Sequence, residues 1–538
     1  MIFAKEAREK LKKGVDAVAD AVKVTMGASG RNVSIGKPMG VPQNTKDGVT
    51  VARYVDVKDP YEKMGAAMVK EVAVSTVDIT GDGTTCATVL TQSIFAQGID
   101  HITKGVSVTD IENGINKATK AVVAKVAELS RKVDNAEIMK QIATVSANNN
   151  EELGGIISEV FEKIGINGQT IVQESKNYET SVEYTEGLRI DRGHFAPIFV
   201  QDVASQQTVM YNPYVFITEK IIGYVTDIMP IYQQVMRQNE TNKENRGLLI
   251  ICQHLEGEAA DFVGKNILNG AFTNVSFIKC PEFGELRTAI MEDISKITGA
   301  TVLSETTVKP KGATLNESGT AAKVVIKKDH TIIVEGAGNK DALENYIQSL
   351  TDQVQHVNEP DKTYIQTRIA RMRGGVAIIK VGGKTESEVK ERKDRVEDAI
   401  GATKSAADEG YVAGGGTTFL HCMDAIYEQD YDNEGEKVGA EIIEKAITEP
   451  FMRILANGDY QINIVGAENE IDKARYYANK EYGFGVNMRT RKEADLFVDG
   501  IIDPAKVLRV SLEKASSIAT LFLKTECLIP YIDDTTSK

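Results

Sequence analysis

The change of apolar pattern along the chain constrains its fold more than any other feature of the sequence. From Ala4 to Thr25, apolar residues recur with a period of about 3.6, which predicts a helix. In the middle of the chain, short apolar runs alternate with helical segments: these runs are Leu248–Gln253, Val275–Cys280 and Ala300–Glu305. That βαβαβ pattern predicts a parallel sheet. Because the last part of the chain is again largely helical, we expect a discontinuous domain whose two halves meet in space.

Three further elements follow from local patterns. The β-branched run Val49–Val55 predicts a strand, and the polar stretch Lys340–Met372 predicts a long helical region. Glu386–Glu409 predicts a helix with opposite charges four residues apart, such as Glu391 and Arg395. A solvated helix face is the usual explanation for such a pattern.

Composition excludes several classes of protein. A chain of 538 residues is too long for one core and predicts about two to four domains. The net charge of −14 argues against a nucleic-acid partner, because phosphate contacts need clustered Lys and Arg. Five scattered cysteines without CxxC, and six dispersed histidines without HExxH, favour reduced thiols and no His-based metal site. With no signal peptide or membrane-spanning run in the sequence, we expect a cytoplasmic protein without a membrane partner.

The segment Gly81-Asp82-Gly83-Thr84-Thr85 lies between two predicted helices and has the strongest chemical signal. Glycines let a backbone approach a ligand closely, and a helix that opens at Thr84 offers N–H groups to phosphate. An aspartate there suits phosphate only if a hard cation lies between them, and Mg²⁺ is the usual one. A simple glycine-rich turn with an aspartate N-cap explains the same residues equally well.

Other glycine-rich turns are weaker signals. Thr25–Asn32 and Gly414–Gly416 could each contact a nucleotide, although most such turns are only turns. The stretch Val381–Thr385 looks like the end of a P-loop, but no glycine lies five residues before Gly383, where that motif requires one. We interpret it as the end of a strand.

Six segments in a fixed order carry a resemblance to a known family. They are TMGASGRN, TKDGVTVAR, GDGTTCATVL, VEDAIGAT, GYVAGGG and IIDPAKV. Together they resemble the group I (GroEL-like, bacterial or organellar) chaperonins, and the resemblance covers essentially the whole chain. GRNVSI and TKDGVTVAR favour this type over the archaeal and eukaryotic-cytosolic type, which has different sequences at these positions.

The resemblance implies an α/β multidomain fold, the group I chaperonin fold. Residues 1–128 and 410–538 would form a helical equatorial domain that binds ATP. Residues 129–186 and 376–409 would form a small intermediate hinge domain, and residues 187–375 an α/β apical domain that binds clients. The implied activity is ATP-driven folding of unfolded proteins inside a homo-oligomeric, seven-membered ring, single or double, with a co-chaperonin lid as a further partner.

The resemblance also implies the roles of individual residues. Asp82 is similar to the Mg²⁺ ligand of the family, and Asp47 and Asp398 to the carboxylates that position the attacking water. Lys46 matches a position near the phosphates and a monovalent cation, K⁺. The remaining implied nucleotide contacts are Thr25, Met26, Gly27, Ala28, Gly83, Thr84, Thr85, Cys86, Gly415, Asn487 and Asp503. In the family, ATP binding moves the helix of Asp398 so that this distant carboxylate completes the site.

The implied client-binding surface is apolar. Its residues are Phe195, Ile198, Phe199, Met229, Tyr232 and Phe262. The chain departs from the family pattern at Gly264 and Lys265, where apolar branched residues are usual, so we expect a standard co-chaperonin to dock poorly. It departs also at Ala28-Ser29, Cys86 and Met488-Arg489, and Asn457–Tyr460 is shorter than the family loop that helps join two rings. Such departures suit a virus-encoded or otherwise specialised member.

Two other functions compete with an ATP-hydrolysing folding machine. A metabolic ATP-dependent enzyme could use the same loops, but the sequence shows no nucleophile with a base and no second metal cluster. A ring-forming, peptide-binding scaffold with little hydrolysis is the second alternative. Retention of Asp47, Asp82 and Asp398 argues against that scaffold.

Overall fold

The fold is a computed structural model that describes ten ranges of the chain. They are residues 1–36, 42–147, 149–166, 168–175, 177–202, 205–272, 274–354, 357–373, 375–462 and 469–530. Contacts divide the chain into two compact units: unit 1 is Met1–Glu162, Val172–Ser181 and Lys380–Lys538, and unit 2 is Lys163–Ile171 and Val182–Ile379. The predicted division into three domains stays a prediction. In the described part of the chain, no helix has the length and apolar character needed to cross a membrane.

The first part of the chain is mostly helical. It contains β1 (Ile2–Phe3), α1 (Ala4–Val22), β2 (Val33–Ile35), β3 (Gln43–Thr45), α2 (Gly48–Tyr54), α3 (Pro60–Thr80), α4 (Thr84–Thr103), α5 (Val108–Leu129), α6 (Ala136–Ser146) and α7 (Glu151–Ile164). The 3.6-residue pattern of the first helix is confirmed, because Leu11, Val15, Val18 and Val22 are all buried along one face of α1.

The middle of the chain mixes strands and helices. Its strands are β4 (Gln169–Glu174), β5 (Ser181–Ile190), β6 (Thr208–Tyr211), β7 (Tyr214–Thr218), β8 (Ile221–Ile222), β9 (Leu248–Cys252), β10 (His254–Leu255), β11 (Val275–Lys279), β12 (Val302–Leu303), β13 (Gly319–Ile326), β14 (Thr331–Gly336) and β15 (Gly375–Val381). Its helices are α8 (Met229–Asn242), α9 (Gly257–Leu268), α10 (Gly284–Thr298), α11 (Lys340–Val354) and α12 (Glu359–Arg373).

The last part of the chain returns to helices joined by short strands. It contains α13 (Glu386–Glu409), β16 (Tyr411–Ala413), α14 (Thr417–Leu420), α15 (Met423–Tyr427), α16 (Glu434–Asn457), α17 (Glu470–Ala478), β17 (Phe484–Asn487), β18 (Lys492–Asp495), β19 (Ile502–Pro504), α18 (Ala505–Lys524) and β20 (Cys527–Leu528). The helix predicted at Glu386–Glu409 is confirmed as α13.

Unit 1 has one main core, built from both ends of the sequence. Helices α1, α3, α4 and α5 pack with α16 and α18, and their buried apolar residues form a single cluster. Strands β1 and β20 pair antiparallel, with Ile2 opposite Leu528. The expectation that the two ends of the chain meet in space is therefore confirmed.

Unit 2 is built on a mixed sheet whose order begins β11-β9-β7-β13-β14-β5. Strands β7, β9 and β11 are parallel, whereas β13 runs antiparallel to β7 and β14. Side chains alternate across the sheet, so Ile250 packs in the core under α8 and α9 while Leu249 packs in the core under α10. The predicted parallel strands Leu248–Gln253, Val275–Cys280 and Ala300–Glu305 are confirmed as β9, β11 and β12, since β12 also runs parallel to β7. The α/β multidomain class is confirmed.

One local prediction is wrong. Val49–Val55 is not a strand: residues 48–54 form α2, because the Asp47 carboxylate caps this helix by accepting from the N–H groups of Val49 at 3.1 Å and Thr50 at 2.7 Å. Burial of one helix face outweighs the strand preference of its β-branched residues. The helical region predicted at Lys340–Met372 is confirmed, as the two helices α11, which ends at Val354, and α12, which begins at Glu359.

Candidate functional site

A cavity of about 290 Å³ lies within unit 1 and is lined by residues from both ends of the chain. All the nucleotide-binding and catalytic residues expected from the sequence line it. They are Thr25, Met26, Gly27, Ala28, Lys46, Asp47, Asp82, Gly83, Thr84, Thr85, Cys86, Asp398, Gly415, Asn487 and Asp503. Residues so far apart in sequence share one cavity because the helices that carry them pack around one core.

The Gly81–Gly83 loop sets one wall of the cavity. Gly81 (φ 73°) ends α3 and Gly83 (φ 96°) begins α4, and both have the left-handed backbone that favours glycine. A Cβ on Gly83 would lie 2.7 Å from Val507 Cγ1, so glycine is also required sterically. No side chain caps α4, and the Asp82 carboxylate instead accepts from the Gly83 N–H. The alternative of an ordinary aspartate N-cap is therefore wrong, and the start of α4 faces the cavity.

The loop after α1 forms the adjoining wall. Asn457 holds it by donating from Nδ2 to the carbonyl oxygens of Lys23 and Met26, each at 2.9 Å. Thr25 Oγ1 lies 3.5 Å from Thr85 Oγ1, which joins this loop to the start of α4. The segment Asn457–Tyr460 therefore braces the cavity loop from the end of α16.

A pair of glycines lets α13 approach this site closely. A Cβ on Gly401 would lie 2.4 Å from Gly81 Cα, so the two backbones touch where neither residue has a side chain. Ser405 Oγ adds a hydrogen bond to Thr80 O at 2.7 Å. The close approach places Asp398, three residues before Gly401, in the cavity with Asp47 and Asp82.

Carboxylates crowd this cavity. Burial, and then the charges of Asp47 and Asp82, raise the pKa of Asp398 well above its ordinary value. Burial raises the pKa of Asp82, and Asp47 raises it further. Burial and Asp82 raise the pKa of Asp503 to about 7. Each raised pKa indicates that the protein itself places too little positive charge near these carboxylates to stabilise their ionised forms.

A hard cation fits this environment. Asp82 would be its protein ligand, and within the described residues no group of three His, Cys, Asp or Glu side chains forms a ready-made metal site. A single carboxylate is what Mg²⁺ commonly takes from a protein when substrate phosphates and water supply the other oxygens. The residues present therefore suit a magnesium–nucleotide complex better than a permanently bound metal.

Two other side chains modify the polarity of the cavity. Burial, followed by repulsion from Arg395, lowers the pKa of Lys46. Burial and the nearby Asp503 and Asp82 raise the pKa of the Cys86 thiol to about 12, so this thiol is neutral near pH 7 and is not a nucleophile. Cys86 therefore provides an uncharged wall.

The opposite end of the cavity is less polar. Ile454, Val486 and Met488 line it together with Gly415, where an added Cβ would meet no atom within 4 Å. Asn487 Nδ2 donates to Asp499 Oδ2 at 2.6 Å, which fixes the amide beside this apolar surface. Such a wall suits the flat face of a nucleotide base, with Asn487 and Asp503 as its polar neighbours.

Sequence reasoning missed several lining residues. Asp394 and Arg395 lie on α13 with Asp398, and Ser146 lies at the end of α6. The spacing of four residues between Asp394 and Asp398 places both on one helix face and could have identified Asp394. No sequence signal marks Ser146, because only the packing of α6 against α13 brings it to the cavity.

The chain is similar in sequence to a known protein family. A model of the TCP-1/cpn60 chaperonin family matches residues 18–532 of the chain. This chain belongs to that family. The match covers both units of the chaperonin, from within α1 to beyond β20.

Two crystal structures resemble this chaperonin in fold. Both are of the chaperonin gp146 from the bacteriophage EL 2 (Pseudomonas aeruginosa) in presence of ATP-BeFx. Crystal form II is 22% identical, with a TM-score of 0.67 and 98% of each chain covered. Crystal form I is 23% identical, with a TM-score of 0.64 and 99% of each chain covered. The chaperonin fold expected from the sequence is therefore confirmed.

Unit 2 of the chaperonin presents an apolar surface, here called the α8–α9 surface. Phe195, Ile198, Met229, Tyr232 and Phe262 form it, and each is only partly buried. The Tyr232 ring lies 4.1 Å from that of Phe272, and its hydroxyl donates to Ala271 O at 3.0 Å. These contacts fix the Tyr232 ring, which remains only partly buried.

Phe199 does not belong to this surface. Its side chain is 4% exposed and lies in the core, with its ring 5.5 Å from that of Phe277. The expectation that Phe199 is available to a client is therefore wrong. Both Ile198 and Phe199 lie in the short 3-10 turn Pro197–Phe199, which directs Ile198 outward and Phe199 inward. The apolar run alone does not show which of the two side chains is buried.

Asp394 is expected to make the stability of nucleotide-free chaperonin depend on pH. Burial and Asp47 raise its pKa to about 7. A carboxyl group whose pKa rises on folding stabilises the folded state at low pH, and that contribution is lost as the pH rises through the folded pKa. We expect Asp394→Asn to raise the melting temperature more at pH 8 than at pH 5.5, with a difference in stability on the order of 2 kcal/mol, because the loss begins near the ordinary carboxyl pKa and is complete only above about pH 7.

Differential scanning calorimetry at the two pH values measures this effect. Asp408→Asn is the matched control, because Asp408 lies on the same helix and pairs with Lys506 at 2.8 Å outside the cavity. The control should shift the melting temperature equally at both pH values. A shift of the melting temperature that is equal at pH 8 and pH 5.5 for Asp394→Asn would contradict the raised pKa of Asp394.

Proposed function

We propose that this chaperonin is an ATP-driven protein-folding machine. ATP is hydrolysed in the cavity of unit 1, and the α8–α9 surface of unit 2 binds unfolded chains. The single observation that carries the proposal is the gathering of Asp47, Asp82 and Asp398 around the start of α4 in one cavity. A binding site alone does not require three carboxylates that repel both one another and phosphate.

The residues that line the cavity have different roles in hydrolysis. The N–H groups at the start of α4 bind the phosphates, and Asp82 would hold Mg²⁺ beside them. Mg²⁺ neutralises phosphate charge when bound. Asp47 and Asp398 accept hydrogen bonds from the attacking water and orient it toward the terminal phosphate. Lys46 lies beside the phosphates, near a site for K⁺, and the apolar end of the cavity takes the adenine.

The α8–α9 surface serves the client. Apolar rings that are held in place but remain accessible bind unfolded chains, because the contact removes apolar area of both partners from water. Assembly into a seven-membered homo-oligomeric ring, single or double, would enclose such clients in the cytoplasm. The exposed Lys265 on α9 opposes docking of a standard co-chaperonin's apolar loop.

A refolding assay tests the function. Chemically unfolded protein is diluted into purified chaperonin, and aggregation, recovered activity and released phosphate are followed with and without Mg-ATP. We expect suppressed aggregation without nucleotide and ATP-dependent recovery. Suppressed aggregation without phosphate release would instead favour the peptide-binding scaffold, and phosphate release without any effect on unfolded protein would favour a metabolic enzyme.

Phe262→Glu is expected to weaken client binding at least tenfold without changing ATP hydrolysis. Its ring lies 5.7 Å from Phe272 on the α8–α9 surface, and loss of one large apolar contact removes about 1.5–3 kcal/mol. Phe283→Glu is the control, since Phe283 is 70% exposed and lies outside this surface. Equal client capture by the Phe262 variant and the wild type would place the client-binding surface elsewhere.

A further inference from the structure

We propose that Arg395 binds the phosphates of the nucleotide and that Glu391 pairs with its guanidinium until the nucleotide binds. This inference rests on the proposed function of the unit 1 cavity and adds to it a phosphate-binding residue. Both side chains line the cavity, and both are carried by α13, the helix that also carries Asp398. Neither belongs to the residues that the resemblance assigns to the site.

The charges of the cavity lining indicate why a second phosphate-binding cation is needed. The lining includes six carboxylates, Asp47, Asp82, Glu391, Asp394, Asp398 and Asp503, but only three basic side chains, Lys46, Arg395 and Arg489. A nucleoside triphosphate entering this cavity adds several more negative charges. Every basic group that can reach the phosphates therefore has a large effect on binding.

Arg395 and Lys46 lie in the lining of the same cavity. Burial first, and then the positive charge of Arg395, lower the pKa of Lys46, so the two cations repel each other. Arg489 instead follows Asn487 at the apolar end and is exposed. Repulsion between two cations is relieved when an anion binds near both, and a phosphate group is the anion that this site is proposed to receive.

The hydrogen bonding of Arg395 is incomplete. Its Nη2 pairs with Glu391 Oε1, one helical turn earlier on α13. Its Nε is buried and has no hydrogen-bond partner in the described part of the chain. A buried guanidinium N–H without an acceptor costs free energy, and a guanidinium matches phosphate oxygens with two parallel hydrogen bonds. A bound phosphate would satisfy the Nε that Glu391 leaves unpaired.

Without nucleotide, the ion pair with Glu391 holds the Arg395 guanidinium in one position. Glu391 and Arg395 have 24% and 26% exposed side chains, so their ion pair is only partly screened by water. Phosphate must compete with the Glu391 carboxylate for the guanidinium. Removing the Glu391 charge should consequently strengthen nucleotide binding, whereas removing the Arg395 charge should weaken it.

Calorimetric titration of the full chaperonin with Mg-AMP-PNP, Mg-ADP and adenosine tests the proposal. Arg395→Gln is expected to weaken AMP-PNP binding by about 10- to 100-fold, as for a lost hydrogen-bonded charge. Adenosine, which has no phosphate, should bind as it does to the wild type. Glu391→Gln should bind AMP-PNP a few times more tightly, again without a change for adenosine.

Arg392→Gln is the matched control, because Arg392 lies on the same helix, pairs with Glu152 at 3.4 Å and does not line the cavity. Its nucleotide affinities should equal those of the wild type. Wild-type AMP-PNP affinity in Arg395→Gln, or an equal loss for adenosine and AMP-PNP, would overturn the inference. If Arg395→Gln does not fold, an AMP-PNP affinity of Glu391→Gln equal to that of the wild type would overturn the inference. Wild-type protein that binds none of the three ligands would instead refute the proposed function.

Discussion

Replacement of Asp398 by alanine is expected to slow ATP hydrolysis by about 10²–10⁴-fold and to leave nucleotide affinity nearly unchanged. Asp398 lies in the cavity with Asp47 and Asp82, where its assigned partner is the attacking water and not the nucleotide. Loss of a group that orients water raises the barrier of the chemical step alone. Removing one of several crowded carboxylates also relieves repulsion, so affinity for the nucleotide should not fall.

Single-turnover hydrolysis and equilibrium binding, measured on the same preparation, separate the two effects. Glu397→Gln is the control, because Glu397 is the exposed neighbour of Asp398 on α13 and does not line the cavity. Its hydrolysis rate should stay within about twofold of the wild type. A collapse of affinity with an unchanged rate for each bound nucleotide would contradict the role given to Asp398.

Asp82→Ala is expected to abolish measurable hydrolysis and to remove the effect of Mg²⁺ on nucleotide binding. Asp82 lies between Gly81 and Gly83 with its carboxylate beside the start of α4, where it is the proposed ligand for the metal. Without it, the metal has no protein anchor next to the phosphates. Chelation of Mg²⁺ from the wild type should reproduce the behaviour of the variant.

Binding of ADP with and without Mg²⁺ gives a measurement that does not depend on turnover. Asp78→Ala, one turn earlier on α3 and outside the cavity, is the control and should keep the metal dependence. Near-normal Mg²⁺-dependent hydrolysis by the Asp82 variant would show that the metal is held elsewhere. The two aspartate variants together test whether binding and chemistry are separate functions of this cavity.

The sequence predicted the helices of unit 1 well, because their apolar faces repeat regularly and their burial follows that repeat. It failed at α2, where the β-branched residues indicated a strand and a single cap by Asp47 decided the outcome. It failed also at Phe199, since an apolar run does not show which of its members turns inward. Both errors concern features that depend on one capping side chain or one short turn.

The candidate site was predictable only in part for a different reason. The Gly81–Gly83 loop has a local sequence signal, because glycines flank an aspartate just before a helix. The structure supports its interpretation as a ligand-binding loop, since no side chain caps the N-terminus of α4. Asp398, by contrast, lies in a charged helix pattern typical of a solvated face. The close approach of Gly81 and Gly401, together with the hydrogen bond from Ser405 to Thr80, brings it to the cavity, and no sequence signal marks Gly401 within its helix.

The antiparallel pairing of β1 with β20 has a consequence for synthesis of the protein. The partner of Ile2 is Leu528, so the first strand cannot pair until nearly the whole chain has left the ribosome. At translation rates of about 5–20 residues per second, α4 waits on the order of 20 to 80 s for α18, one of the helices that cover it. During that time its apolar face is exposed to aggregation. The growing chain therefore passes through the same kind of state that its finished form is proposed to rescue in others.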